Sequence, residues 1–386
     1  MESIVRQIKE LYAESDPEGR ERIHRDIRRL QGSLYSEMEF MIDLAANGPV
    51  KYSMTKIGVD LHIFEALHEG DEPLTGSKLA ERTAAAPELI RRILRTQAAL
   101  GLIDQVGADS FQSNRLTGFL ANSALTSLLL FQQPVFGPAY QALPDFLRAR
   151  NYQQVVSEDD TAFQVGHRTN LTFPEFLKQH PEHLHNLHKS MQLSYGNQWI
   201  DRFPVEKELS QFVTDSNERP VLVDIGGAHG QQARVFRQRF PSVPGRIIVQ
   251  DRAEVIENVA DIDGVEFMVH DFLQPQPIRG AKFYYLRFVL HDWPDEMCVK
   301  ILQSIIPAMA PESRIILDEL IPSDLGMSHW AAVMDTAMLA TSGGSERSRG
   351  DWVVLLDRAG LQMLDLLEYD PQNLSVIVAV PKEQKE

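Results

Sequence analysis

The chain has 386 residues, of which 43% are hydrophobic and 24% charged, and a formal net charge of −16. This length favours two domains over a single core. The acidity argues against nucleic acid as a partner, since phosphate binding relies on clustered Lys and Arg. One cysteine, Cys298, excludes an intrachain disulfide, no apolar run reaches membrane-spanning length, and the N-terminus is too charged for a signal peptide, so a cytoplasmic protein is expected.

Residues 1 to 45 place Ile23, Ile27, Leu30, Leu34 and Met38 at three- and four-residue spacing, the pattern of an amphipathic helix. Three further helical segments follow, with Thr75 as a cap, Pro87 in a first turn and Gly101 as a stop. "LIDQVGADSFQSN" then reads as two short strands around a turn. Three helices and a hairpin make a winged-helix arrangement. Arg91, Arg92 and Arg95 lie on its third helix, but acidic flanks favour packing or dimerisation over DNA.

Residues 125 to 205 read as helical. Within them His180, His183, His185 and His188 do not share one helical face and lack a completing carboxylate, so no metal is expected. Beyond Pro220, the short apolar runs "VLVDIG", "RIIVQD", "VEFMVHD", "FYYLRFVL" and "RIILDEL" alternate with helical segments, and "MLDLLEY" and "LSVIVAV" close as a hairpin. Such alternation predicts an α/β fold whose parallel sheet ends in an antiparallel pair.

Chemistry is expected at the carboxyl ends of these strands. "VLVDIGGAHG" ends its strand in Asp224 and continues through Gly226, Gly227 and Gly230 into a helix. The spacing is not the dinucleotide G-x-G-x-x-G, and Asp224 would repel a pyrophosphate, so a cofactor with a cationic tail fits better. Asp251 lies 21 residues after Gly230, at the tip of the second strand, where a carboxylate can accept both hydroxyls of a ribose. Asp271 and Phe272 either meet an adenine or cap a strand end. His291 follows the fourth apolar run, and its ordinary pKa of ~6.5 suits removal of a proton from a phenol or enol. Asp318 and Glu346 are two acids able to orient it.

In "VDIGGAHG", "VQD", "HDF", "YYLRFVLHDWPDE", "RIILDELIP" and "GGSERS", the chain resembles the class I S-adenosylmethionine-dependent O-methyltransferases of the plant caffeate and fungal secondary-metabolite type. The resemblance is close over residues 221 to 386. It implies a Rossmann-like seven-stranded methyltransferase sheet and an N-terminal winged-helix dimerisation domain. The implied boundaries are a dimerisation domain over 1–125 and a catalytic domain over 126–386, made of a helical substrate region, 126–217, and the cofactor-binding core, 218–386.

By the same resemblance Asp224, Gly226, Gly227 and Asp251 hold the methionine part and ribose of S-adenosylmethionine, Asp271 and Phe272 meet the adenine, and Arg287 stands where the family often has a cofactor-contacting lysine. His291 is the base, framed by Asp318 and Glu346; Met191, Met334 and Asp335 face a small-molecule substrate of polyketide or polyketide–peptide type, and the enzyme is a homodimer. Ala228 stands where the family usually has glycine. Residues 142 to 163 and "RFPVEKEL" also resemble the leporin-type pericyclases, which implies an alternative: dehydration and ring closure with the cofactor bound and no methyl transferred. Those relatives carry Arg at the position of His291, and their helical-region histidine falls on Phe131.

Overall fold

The computed structural model describes residues 2–70, 72–191, 199–210, 212, 219–257 and 259–382. It divides into two compact units, Met1–Val135 with Leu177–Ser194, and Phe136–Phe176 with Tyr195–Glu386. The expected boundary between 217 and 218 lies outside the described residues.

In the first unit the N-terminal stretch is broken into helices Glu2–Glu14, Pro17–Leu34 and Glu37–Ile42. Asp16 and Ser36 cap the second and third, each accepting a backbone N–H three residues on. The expected apolar stripe is present, but Ile27, Leu30, Leu34 and Met38 stay exposed. The wing follows: helices Ile63–His68, Gly76–Thr83 and Pro87–Ala99 with strands β1 (Leu74–Thr75), β2 (Asp104–Gly107) and β3 (Ser110–Gln112), in the order β1-β3-β2. Leu74 and Thr75 add a third strand to the hairpin, and the Thr75 hydroxyl also accepts the Lys78 amide. Ile63, Phe64, Leu67, Leu79, Ile90, Leu94 and Phe111 form a buried core. That core is the source of the unit's stability, since a two-residue strand and short helices are marginal alone.

The second unit carries strands β4 (Pro220–Ile225), β5 (Arg246–Asp251), β6 (Glu266–Val269), β7 (Phe283–Arg287), β8 (Arg314–Leu320), β9 (Leu361–Asp370) and β10 (Leu374–Pro381). Their order is β6-β5-β4-β7-β8-β10-β9. The first five are parallel, and β10 runs antiparallel to both β8 and β9. Alternate residues feed two apolar layers: Val223, Tyr284, Leu286, Ile315 and Leu317 into one, Leu222, Phe283, Tyr285 and Ile316 into the other. Burial on both faces explains why these strands read as unbroken apolar runs. Strand order reverses beside β4, between β5 and β7, so the switch-point crevice opens at the ends of these strands.

One boundary differs from the sequence reading. The apolar run through Leu290 leaves the sheet at Arg287, paired with Asp318. Phe288 then adopts φ +48 and donates its N–H to the Asp318 carbonyl. A left-handed residue cannot continue a strand, so Leu290–Asp292 turn over as a short 3-10 helix that carries His291.

Candidate active site

Asp224 sits at the end of β4, and Gly226 turns the chain with φ +70. The amides of Gly226 and Gly227 donate to the Gln250 carbonyl of β5, which holds the loop over the strand ends. A Cβ on Gly227 would stand 2.6 Å from the Asp224 carboxyl carbon. Asp224 is 2% exposed, and its Oδ2 has no partner among the described residues. Burial, reinforced by the charge of Asp251, pushes its pKa up to about 7. A buried carboxylate with an idle oxygen is costly unless a cation or donor completes it.

Asp251 is tied to the same loop. Its Oδ2 accepts the Ala228 N–H at 2.9 Å and its Oδ1 the Arg252 N–H at 2.8 Å. Ala228 occupies the left-handed region at φ +46, where glycine is the unstrained choice. Asp271 is exposed and accepts the Leu273 amide at 3.0 Å, so the turn-capping role is present. Phe272 packs edge-on to Trp293, with ring centres 5.9 Å apart.

On β7 and β8 the acids divide. Asp318 is wholly buried and receives hydrogen bonds from Tyr285 at 2.5 Å, Arg287 at 2.7 Å and Tyr369 at 2.7 Å. Arg287 also donates to the Tyr369 hydroxyl at 3.1 Å. The acid bonded to His291 is Glu346, Oε1 to Nδ1 at 2.8 Å, with Asp292 3.6 Å from Nε2. The structure thus joins Asp318 to Arg287 and Glu346 to His291.

His291 is 5% exposed. Burial opposes its charge, but the carboxylates of Asp292 and Glu346 outweigh that and push its pKa up to about 10. The Asp292 side chain is half exposed and Glu346 fully buried. Water screens the first far more, so Glu346 has the firmer hold. Nδ1 donates to Glu346, which leaves Nε2 as the atom able to take a proton.

The loop that supplies Glu346 is fastened on both sides. Ser345 donates its N–H to the His291 carbonyl at 3.0 Å, and Glu346 its own to Asp335 Oδ1 at 2.9 Å. Met334 is partly buried against one sheet layer, on the same helix, His329–Thr341. Met191 ends the helix Pro181–Met191 in the first unit, with an exposed side chain. Two residues escaped the sequence reading. Arg347 is buried and donates to the Leu290 and Trp293 carbonyls and to Asp295. Glu319 accepts the Val289 and Leu290 amides. Their only sequence signal was adjacency to Glu346 and Asp318.

Known proteins resemble this chain in both sequence and fold. Residues 183–362 match the O-methyltransferase domain and residues 45–131 the O-methyltransferase dimerisation domain. The chain is 43% identical to demethylsterigmatocystin 6-O-methyltransferase of Aspergillus parasiticus, over 99% of this chain and 98% of that one. It belongs to the O-methyltransferase family. The methyltransferase also superposes on LepI in complex with S-adenosylmethionine, with a TM-score of 0.92, 31% identity and 98% of each chain covered. OxaC in complex with S-adenosylhomocysteine and oxaline gives a TM-score of 0.86 at 26% identity, covering 98% of this chain and 97% of that one.

S-adenosylmethionine is therefore the cofactor of this methyltransferase, and the residues fit it. The idle Asp224 Oδ2 calls for a cationic donor such as an α-ammonium group, and the Asp251 carboxylate, oriented by two backbone amides, lies where a ribose can be held. The bound cofactor supplies a sulfonium methyl already activated for transfer to an oxygen.

Proposed function

We propose that this enzyme methylates a hydroxyl of a small secondary metabolite, polyketide or polyketide–peptide in type, with His291 as the general base, and that it works as a homodimer through its N-terminal unit. The observation that carries the reading is the His291–Glu346 contact at 2.8 Å. It orients the imidazole and stabilises the imidazolium formed when Nε2 takes the hydroxyl proton. A phenol loses its proton near pH ~10, and His291 holds one up to about 10. Below that pH the imidazole already carries its proton, so the fraction able to act as a base grows as pH rises towards 10. With S-adenosylmethionine held by Asp224 and Asp251, its sulfonium would supply the methyl group to the oxygen whose proton His291 Nε2 takes. Asp224 and Asp251 bind the cofactor in this scheme, Arg287 and Asp318 form the buried floor beside it, and Met334 and Asp335 flank the acceptor.

The name of the Aspergillus relative supplies a first acceptor to try: demethylsterigmatocystin. A second reading has an observation of its own, the TM-score of 0.92 to a structure described as a pericyclic reaction enzyme. In that case the substrate cyclises and the sulfonium acts as a fixed positive charge. Product mass separates the two. We expect a product one methylene heavier than its precursor, lost in His291→Ala, both with demethylsterigmatocystin and in a host expressing the neighbouring biosynthetic genes. A product isomeric with its precursor, or lighter by one water, establishes the cyclase instead.

A further inference from the structure

Gln250 stands one residue before Asp251 at the end of β5, and Gln276 stands between Pro275 and Pro277 in the segment that joins β6 to β7. Proline has no N–H to give and biases the residue before it towards extended backbone, so this segment has few amides with which to join a ladder. Two side chains hold it instead. Gln250 Nε2 donates to Gln276 Oε1 at 2.9 Å, and Gln276 Nε2 donates to Gln250 Oε1 at 2.8 Å. Both residues are buried, at 1% and 5% exposure. Gln276 Oε1 also accepts the Ile278 N–H at 3.0 Å. A buried amide is costly unless its polar atoms are met, and here each glutamine meets the other. The pair is continuous with both walls of the cleft. The Gln250 carbonyl receives the Gly226 and Gly227 amides, while the Gln276 N–H donates to the Ser304 carbonyl at 3.0 Å. The Ser304 hydroxyl in turn donates to the Phe272 carbonyl at 2.8 Å, so both ends of the segment are pinned to one residue of the helix Asp295–Ile305.

We propose that the Gln250–Gln276 pair positions the adenosine of the cofactor, by setting the spacing between the end of β5, where Asp251 holds the ribose, and the segment that opens with Asp271 and Phe272 beside the adenine. This rests on the reading of those three residues as cofactor contacts. Neither glutamine touches the cofactor itself. Two facing amides have one register, and a slip of about 1 Å breaks both hydrogen bonds together. Apolar side chains of the same size would bury the segment as well, but their attraction is non-directional and fixes no register. None of these bonds reaches His291 or Glu346, so the pair acts on the cofactor and leaves the base alone.

The test compares Gln250→Leu, Gln276→Leu, Gln276→Asn and the double Leu variant with the parent enzyme and with Asp251→Asn. Calorimetry reads the affinity for S-adenosylhomocysteine, and thermal melting reads stability. Turnover with the acceptor found in the product assay separates kcat from the KM of each substrate. Each single variant at 250 or 276 should bind S-adenosylhomocysteine about 10- to 100-fold more weakly, the scale of one buried amide left unpaired and a segment misplaced. The KM for S-adenosylmethionine rises with it, while kcat and the acceptor KM stay within about threefold of the parent. The double Leu variant leaves neither amide stranded, so its melting returns towards the parent. Its affinity stays at least about tenfold weaker, because packing does not restore the register. Recovery of affinity together with stability in the double variant overturns the proposal, as do parent-like affinities in Gln276→Leu and Gln276→Asn. Should the variants at 250 not fold, the two at 276 decide alone. Asp251→Asn tests the underlying reading: parent-like binding there removes Asp251 from the cofactor site, whereas weak binding there beside parent-like variants at 276 sinks the pair alone.

Discussion

Gly344 lies so close to the backbone of His291 that a Cβ built on it would stand 1.9 Å from the His291 carbonyl oxygen. The glycine exists for that approach, which lets the next residue, Ser345, donate its N–H to the same carbonyl. We expect Gly344→Ala to part the two loops and separate Glu346 from His291. The loss in kcat should be roughly 10²-fold or more, on the scale of a misplaced base. Because a backbone atom cannot give way as a flexible side chain would, stability should fall too, by about 1–3 kcal/mol as in overpacked cores. Turnover and urea unfolding of the variant check both.

With His291 as the proposed base, its pair with Glu346 sets the expected pH dependence. His291 keeps its proton up to about 10, above its ordinary 6.5. The free enzyme should therefore show kcat/KM rising with pH along a limb well to the alkaline side of 6.5. Glu346→Gln removes the stabilising charge, and the limb should move to lower pH while kcat falls. The same shift stabilises the fold. Its contribution is complete below pH 6.5 and disappears as pH rises towards 10, so the stability advantage of the parent over Glu346→Gln should shrink across that window.

Ala228 is held at φ +46 by the Asp251 carboxylate that accepts its N–H. A side chain in the left-handed region costs about 1–2 kcal/mol, part of which glycine returns as unfolded-state entropy. Ala228→Gly should stabilise the protein by roughly 0.5–1 kcal/mol in urea unfolding. Ala228→Val, β-branched at a positive φ, should destabilise it by more than that and weaken S-adenosylmethionine binding by calorimetry.

Asp224 carries a burial cost that, on the proposed reading, the cofactor relieves. Its folded pKa of about 7 lies above the ordinary 3.8, so ionisation destabilises the free protein increasingly as pH rises through that window. Asp224→Asn should melt higher than the parent at pH 8 without ligand. It should bind S-adenosylmethionine about 10- to 100-fold more weakly, the value of a charge-assisted hydrogen bond. A variant that is no more stable and binds as tightly would remove Asp224 from the cofactor site.

Much of the catalytic unit is local and could be read along the chain. Unbroken apolar runs follow from strands buried on both faces, and Asp224, Gly226 and Asp251 stand at strand ends where alternation with helices puts them. Thr75 and Pro87 mark helix starts because capping depends on neighbours three residues away. The end of β7 was misjudged by three residues: Phe288, Val289 and Leu290 are as apolar as the strand before them, and only pairing with β8 shows where the ladder stops.

The partnerships of the acids belong to the tertiary structure. Asp318 and Glu346 both suited His291 by residue type, yet β8 turns Asp318 towards Arg287, while the loop after His329–Thr341 brings Glu346 to the imidazole from 55 residues away. Glu319 and Arg347 left no pattern along the chain, since what defines them is a set of backbone amides and carbonyls exposed by a turn elsewhere. Residue types and their spacing determined the family, the sheet and the candidates for chemistry. Which carboxylate meets which base was decided by packing, because a hydrogen bond depends on tenths of an ångström between segments that sequence distance does not constrain.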